Sequence, residues 1–250
     1  MDDFTAKMAC IRERHSNNDC REEYECQECR DTGFVMNFDE KGREFATRCR
    51  CYSMRRSREL LQYSGISEEF GKKTFDNFYT CGEPQLENAK AKATQYVMDF
   101  VEFEHDRRSS ILFAGQVGAG KTHLGMAICN ELLHTQCVGV VYMPYRDAVT
   151  KIKQSVMDKE NYNAAIGQYC NARLLYIDDL LKGKLSDADV NIMYEIVNYR
   201  YMNNLPMIIS TEKSPNDLLI FDEAIGSRVI EMCRGNIIQM RGKELNYRLK

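Results

Sequence analysis

Apolar residues in this chain gather into short runs separated by polar, glycine-marked segments, and beyond residue 89 the runs alternate with stretches of helical spacing. Ala89–Glu104 predicts a helix, and Ile111-Leu112-Phe113-Ala114 predicts a buried strand. After it, Leu124, Ile128 and Leu132 fall on one face of a second helix. Val138–Met143 predicts a second strand, followed by helical stretches around Ala148–Met157 and Tyr162–Cys170. Leu174-Leu175-Tyr176-Ile177 is a third apolar run, ending in Asp178-Asp179. Asp187–Tyr201 reads as a helix, Met207–Thr211 as a fourth strand, and Ile237–Met240 as a fifth after helical segments to Cys233. Strands alternating with helices predict an α/β domain, a doubly wound parallel five-stranded sheet.

Ahead of residue 60 the pattern differs. Thr32–Phe38 and Arg43–Thr47 flank the turn-like Asp39-Glu40-Lys41-Gly42 and predict a β-hairpin. Cys26-Gln27-Glu28-Cys29 and Cys49-Arg50-Cys51 then stand at its open end. Four thiolates there suit a tetrahedral Zn²⁺. Two disulfides or four unrelated thiols are the competing readings, and Cys10 or Cys20 upstream can replace a ligand. A closed four-cysteine site is structural rather than catalytic, and a segment with so little core draws much of its folding energy from the metal. Arg48, Arg50, Arg55, Arg56 and Arg58 follow as a basic run. It reads equally as a solvated helix face and as a surface for nucleic acid or an acidic protein. Gly65, Gly71, Gly82 and Pro84 mark a linker containing Thr74–Phe78, whose aromatics are expected to pack on the following domain. The expected division is residues 1–60, 61–84 and 85–250.

Composition narrows the function classes. A net charge of −3 over 250 residues excludes a generally basic nucleic-acid coat, so nucleic-acid contact must come from local patches. No apolar run reaches the length of a membrane span, and the start, Met-Asp-Asp-Phe-Thr, does not read as a secretory signal. A cytoplasmic location is therefore expected, where the eleven cysteines stay reduced.

The candidate chemistry sits at the ends of two strands. Gly115-Gln116-Val117-Gly118-Ala119-Gly120-Lys121-Thr122 fits the phosphate-binding loop G-x-x-x-x-G-K-[ST]. Glycines let the backbone curl so that N–H groups point at a polyphosphate, and the helix N-terminus behind it favours an anion. Lys121 can reach the β- and γ-phosphates, and the Thr122 hydroxyl can hold Mg²⁺. The nucleotide-binding set is Gly115, Gly118, Ala119, Gly120, Lys121, Thr122 and His123. Asp178 is placed to serve the Mg²⁺, and Asp179 to orient or deprotonate water. An aspartate pair after a strand also serves as a helix N-cap. One strand intervenes in sequence between the two motifs, which suits P-loop ATPases with an inserted strand better than GTPase-like folds.

Gly115–Thr122, Leu174–Asp179, Pro206–Thr211 and Ser227-Arg228-Val229 occur in the order expected of the AAA+ ATPases of the DnaC/IstB-like group, which the chain resembles over nearly its whole length. With the Thr74–Phe78 segment and the upstream cysteines, it is similar to the helicase loaders of Gram-positive bacteria and their phages. The resemblance implies ATP and Mg²⁺ binding, single-stranded DNA binding, self-association through a shared ATP site, and a DnaB-type replicative helicase held by the N-terminal zinc domain. A transposition helper of the IstB type and an ATP-binding scaffold without turnover are the alternatives. It makes Lys121 and Thr122 the Walker A pair and Asp178 and Asp179 the Walker B pair. Thr211 or its neighbours would contact the γ-phosphate, and Arg228 would be an arginine finger reaching a neighbouring subunit. Arg146, Lys151 and Lys153 fall in the insert that would face DNA, or on a solvated helix face. Two departures stand out: Ala224 replaces the first arginine of the Glu-Arg-x-x-Ser-Arg box, and Ser210-Thr211-Glu212 replaces an expected asparagine. Both fit a slow, switch-like ATPase. No helical lid domain is expected after the fifth strand.

Overall fold

The computed structural model describes residues 24–39, 41–52, 54–55, 71–242 and 245–247. Cys10, Cys20, Arg56 and Arg58 lie outside the described residues. The chain divides into two compact units at residue 55.

The first unit is an antiparallel hairpin of β1 (Phe34–Phe38) and β2 (Glu44–Arg48), in register from Phe34 opposite Arg48 to Phe38 opposite Glu44. Asp39 closes the turn by accepting from the backbone N–H groups of Lys41 and Arg43 and pairing with the Arg43 guanidinium. The basic run is largely used within the unit. Arg48 stacks on Tyr52, Arg50 pairs with Glu28 at 3.2 Å, and Arg55 pairs with Asp31.

The second unit holds a five-stranded sheet. In chain order its elements are α1 (Pro84–Phe103), β3 (Ile111–Gly115), α2 (Lys121–Gln136), β4 (Val140–Pro144), α3 (Tyr145–Gln154) and α4 (Lys159–Cys170). β5 (Leu174–Asp178), α5 (Asp187–Met202), β6 (Met207–Thr211), α6 (Pro215–Phe221), α7 (Glu223–Met232) and β7 (Ile237–Met240) complete it. The strand order is β4-β5-β6-β3-β7, and all pairs are parallel. Every residue of β3, β5 and β6 is buried, as central parallel strands covered on both faces require. None of the helices among the described residues is long and apolar enough to cross a membrane.

Two helices begin earlier than expected. α1 starts at Pro84, not Ala89, because proline at the first helical position brings a preset φ and loses no needed donor. α3 starts at Tyr145, directly after β4, and buries Tyr145, Ala148, Val149 and Ile152 along one face. It ends at Gln154 rather than Met157, with the backbone N–H of Ser155 closing onto the last turn. The strand that intervenes in sequence, β4, lies at the sheet edge; the strand between the two motifs in space is β6.

Candidate functional site

Parallel strands deliver their C-terminal ends to one edge of the sheet, and there β3, β5 and β6 bring the candidate residues together. A cavity of about 780 Å³ opens at this edge. Gly118, Ala119, Gly120, Lys121, Thr122 and His123 line it, as do Asp178 and Asp179. Gly115 ends β3 beside Met240 of β7.

The loop's shape follows from its neighbours. Gly120, the N-cap of α2, has φ +87°, and a Cβ there would stand 2.6 Å from the Phe78 ring. Glycine thus meets both the backbone angle and the close approach of Phe78. Phe78 is buried, and its ring meets His123 edge-on at 5.3 Å between centroids. His123 Nε2 lies 2.9 Å from both Thr74 O and Asn77 Oδ1. Both partners accept, so Nε2 carries the proton. The aromatic Phe78 packs on the second unit as expected, and it also walls the cavity. Tyr247 N donates to Gly118 O at 3.0 Å, and Leu245 and Tyr247 also line the cavity.

Lys121 is 5% exposed, and its Nζ donates to Gln116 O at 2.7 Å. Burial lowers its pKa, opposed by the charges of Asp179 and Glu212. Asp178 collects hydroxyl donors. Thr122 Oγ1 and Tyr176 OH donate to Oδ1 at 3.0 and 2.8 Å, Tyr142 OH donates to Oδ2 at 3.0 Å, and Ser210 Oγ donates to Oδ1 at 2.5 Å. Burial and the adjacent Asp178 charge raise the pKa of both phenols, so both remain donors. Tyr176 reaches in because Gly125 of α2 leaves room; a Cβ there would meet the ring at 2.5 Å. Asp178 and Asp179 do not cap a helix: Ser186 caps α5, with Asp189 completing a capping box.

Asp179 takes the left-handed conformation, φ +58°, and its backbone N–H donates to Ser210 Oγ at 2.8 Å. Lys182 Nζ bridges Asp179 Oδ2 at 2.8 Å and Glu212 Oε1 at 3.1 Å.

The structure does not bring Thr211 to the cavity. Thr211 is fully buried, and its Oγ1 donates to Leu180 O and accepts from Lys213 N. Alternation along the strand turns Ser210 toward Asp178 instead, and Glu212 lines the cavity. Arg228 is also absent from the cavity lining. It donates to Ala224 O at 2.7 Å, and its guanidinium lies 5.4 Å from the rings of both Tyr194 and Tyr201. Of the insert cations, Lys153 is paired with Asp189 at 2.6 Å, while Arg146 and Lys151 are exposed. Tyr142, Tyr176 and Lys182 are site residues that motif reading passed over, and Ser210, expected only as a neighbour of Thr211, takes its place at Asp178. The alternation of β6 was the available signal for Ser210.

In the first unit, the sulfurs of Cys26, Cys29, Cys49 and Cys51 all lie within 4.8 Å of one another. Cys26 and Cys49 are 3.6 Å apart, and Cys29 and Cys51 are 3.3 Å apart. A tetrahedron with Zn–S bonds near 2.3 Å separates its sulfurs by about 3.8 Å. The four thiols therefore fit one Zn²⁺, and the nine described cysteines include no disulfide. Asp31 braces the first pair: its carboxylate accepts from the N–H of Cys26 and pairs with Arg55. These contacts hold the Asp31 carboxyl below its ordinary pKa, the Cys26 N–H contributing most.

A parallel five-stranded sheet with a glycine loop facing an acidic strand end defines a P-loop ATPase of the AAA+ type. The chain belongs to the bacterial DnaA ATPase domain family, which it matches over residues 71–233. It is 36% identical to the phage-like element PBSX protein XkdC of Bacillus subtilis (strain 168), over 91% of this chain and 87% of that protein. It is 28% identical to the replicative helicase loader DnaC of Escherichia coli (strain K12), over 68% of this chain and 66% of that one. A crystal structure of the DnaC helicase loader shares the fold, with a TM-score of 0.59 at 20% identity, covering 70% of this chain and 99% of that one.

Proposed function

We propose that this chain is an ATP-dependent replicative helicase loader acting in DNA replication in the cytoplasm. The observation that carries the ATPase part is the meeting of Lys121, Thr122 and Asp178 at one cavity mouth. Phosphates would lie on the N–H groups at the start of α2 with Lys121 alongside, and Thr122 and Asp178 would hold Mg²⁺. Their oxygens, 3.0 Å apart, suit a hard cation, which when bound offsets phosphate charge. Asp179 would orient the attacking water. Arg228, held at the rings of Tyr194 and Tyr201, would serve the site of a neighbouring subunit.

The likeness to a replicative helicase loader supports a helicase as partner. In this reading it is of the DnaB type and bound through residues 1–60, with 61–84 as linker and 85–250 as the ATPase domain. Single-stranded DNA would meet exposed Arg146 and Lys151. Such contacts are sequence-independent and salt-sensitive.

Co-purification with a DnaB-type helicase, with and without ATP, tests this reading. A stable complex is expected, lost in Cys26→Ser/Cys29→Ser; an intact complex in that variant sinks the helicase assignment of the cysteine domain. A second reading, an ATP-binding scaffold, is favoured by Glu212 at the cavity and by Thr211 being held elsewhere. Phosphate release no faster than that of Lys121→Ala, with or without single-stranded DNA, would select the scaffold.

A further inference from the structure

The turn after β5 brings a second lysine to the nucleotide cavity, and nothing in the phosphate-loop pattern accounts for it. Leu180 and Leu181 are each 1% exposed and root the turn in the core. Leu180 N donates to Ser210 O at 2.8 Å, and Leu180 O accepts from Thr211 Oγ1 at 2.8 Å. Lys182 N closes the turn on Asp179 O at 3.2 Å. Left-handed φ values at Asp179, Leu181 and Gly183 produce the tight path. With the backbone tied at these points, the Lys182 ammonium falls between Asp179 and Glu212, at 2.8 and 3.1 Å. All three side chains face the same cavity as Lys121 and Thr122.

This arrangement answers a charge problem. Asp178, Asp179 and Glu212 all line a cavity suited to a polyanion. Asp178 and Asp179 have tasks in the ATP reading, whereas Glu212 only repels phosphate unless its charge is offset. We propose that Lys182 is a positioning residue of the nucleotide site. It neutralises Glu212, so that the pocket accepts a nucleoside triphosphate, and it holds the Asp179 carboxylate in place for water orientation. The inference rests on the ATP-site reading above. The raised pKa of Lys182, caused first by its hydrogen bond to Asp179, is consistent with a permanent ammonium.

The two roles separate in a double-variant experiment on the full chain. ATP and ADP affinities are measured by calorimetry, and turnover by phosphate release, for the unsubstituted chain, Lys182→Met, Lys182→Arg, Glu212→Gln and Lys182→Met/Glu212→Gln. Lys182→Met is expected to weaken ATP binding about tenfold and ADP binding less, because the γ-phosphate adds charge near Glu212. Adding Glu212→Gln should restore ATP affinity to within about threefold, and Lys182→Arg should keep it. The kcat lost in Lys182→Met should not return with Glu212→Gln, since Asp179 still lacks its cation. Equal losses for ATP and ADP, or no rescue by Glu212→Gln, overturn the proposal, as does weakened ATP binding in Glu212→Gln alone. If the unsubstituted chain binds no ATP, the nucleotide reading itself falls and takes the inference with it.

Discussion

In the hairpin unit the buried side chains among described residues 24–55 are those of Cys29, Cys49 and Cys51, whereas in the sheet unit all fifteen residues of β3, β5 and β6 are buried. One unit has thiols where the other has a core. Phe38 and Phe45 of the hairpin are exposed, while Phe100 and Phe113 of the second unit are inaccessible to water. The difference teaches that two kinds of folding energy serve one chain. Apolar burial is the main support of the sheet, whereas the hairpin has four clustered thiols compatible with a metal in place of such a core. The two units should therefore fail under different insults.

The largest expected effect is on the hairpin. Zinc removal by a strong chelator, or Cys29→Ser, should unfold it outright, because structural zinc contributes about 10–16 kcal/mol in small peptides. Amide NMR signals of residues 34–48 would collapse while those of the sheet persist. Elemental analysis should give about one zinc per chain beforehand. Persistence of hairpin signals without metal would break the comparison. The reciprocal insult is Phe113→Ala in β3, fully buried, which should cost about 3–5 kcal/mol of sheet stability. Zinc content should be unchanged, and denaturant melts followed at the two units should show only the sheet transition moving.

A third test separates stability from function inside the sheet unit. Lys121→Ala should weaken ATP binding by about a hundredfold or more while leaving the melting curve nearly in place, since loss of a charge-assisted phosphate contact is felt only with ligand. Asp179→Asn should mainly slow phosphate release. Normal turnover in Asp179→Asn would refute the water-orienting role.

Legibility in the sequence followed the same division. The fully buried strands β3, β5 and β6 announced themselves as apolar runs, and the partly buried β7 also lies where its short apolar run lies. α1 and α3 start before the expected residues: Pro84 is set by its φ rather than by apolar spacing, and Tyr145, although on the buried face with Ala148, Val149 and Ile152, follows β4 with no intervening loop to mark a boundary. The phosphate loop and the acid pair were readable because glycines, lysine and carboxylates at fixed spacing have few other uses. Lys182, and the turn of Ser210 rather than Thr211 toward Asp178, were not, because they depend on contacts between β5, β6 and the turn after β5, which exist only once the sheet is assembled. Arg200 makes the same point: fully buried in α5, it donates to the carbonyls of Tyr169, Cys170, Ala172 and Pro206. A basic residue in a helical stretch gives no hint that it binds the end of another helix.

The smallest expected effect sharpens the contrast from the side of the sheet unit. Burial lowers the His123 pKa from the ordinary 6.5, with nearby Lys73 and Lys90 adding to the shift and the Thr74 carbonyl opposing it. The folded chain therefore binds this proton less readily than the unfolded chain, and acidification favours unfolding. The contribution is complete above about pH 6.5 and is lost as pH falls through the depressed folded value. Melting temperatures of the unsubstituted chain and His123→Gln, followed from pH 8 to 5.5, should differ in slope, with the unsubstituted chain losing more on the acid side. Glutamine can still donate to Thr74 O but takes up no proton, so parallel slopes would remove His123 as the cause. The hairpin, followed by its own NMR signals, should show no response to His123→Gln at any pH, because the residue belongs to the sheet unit alone.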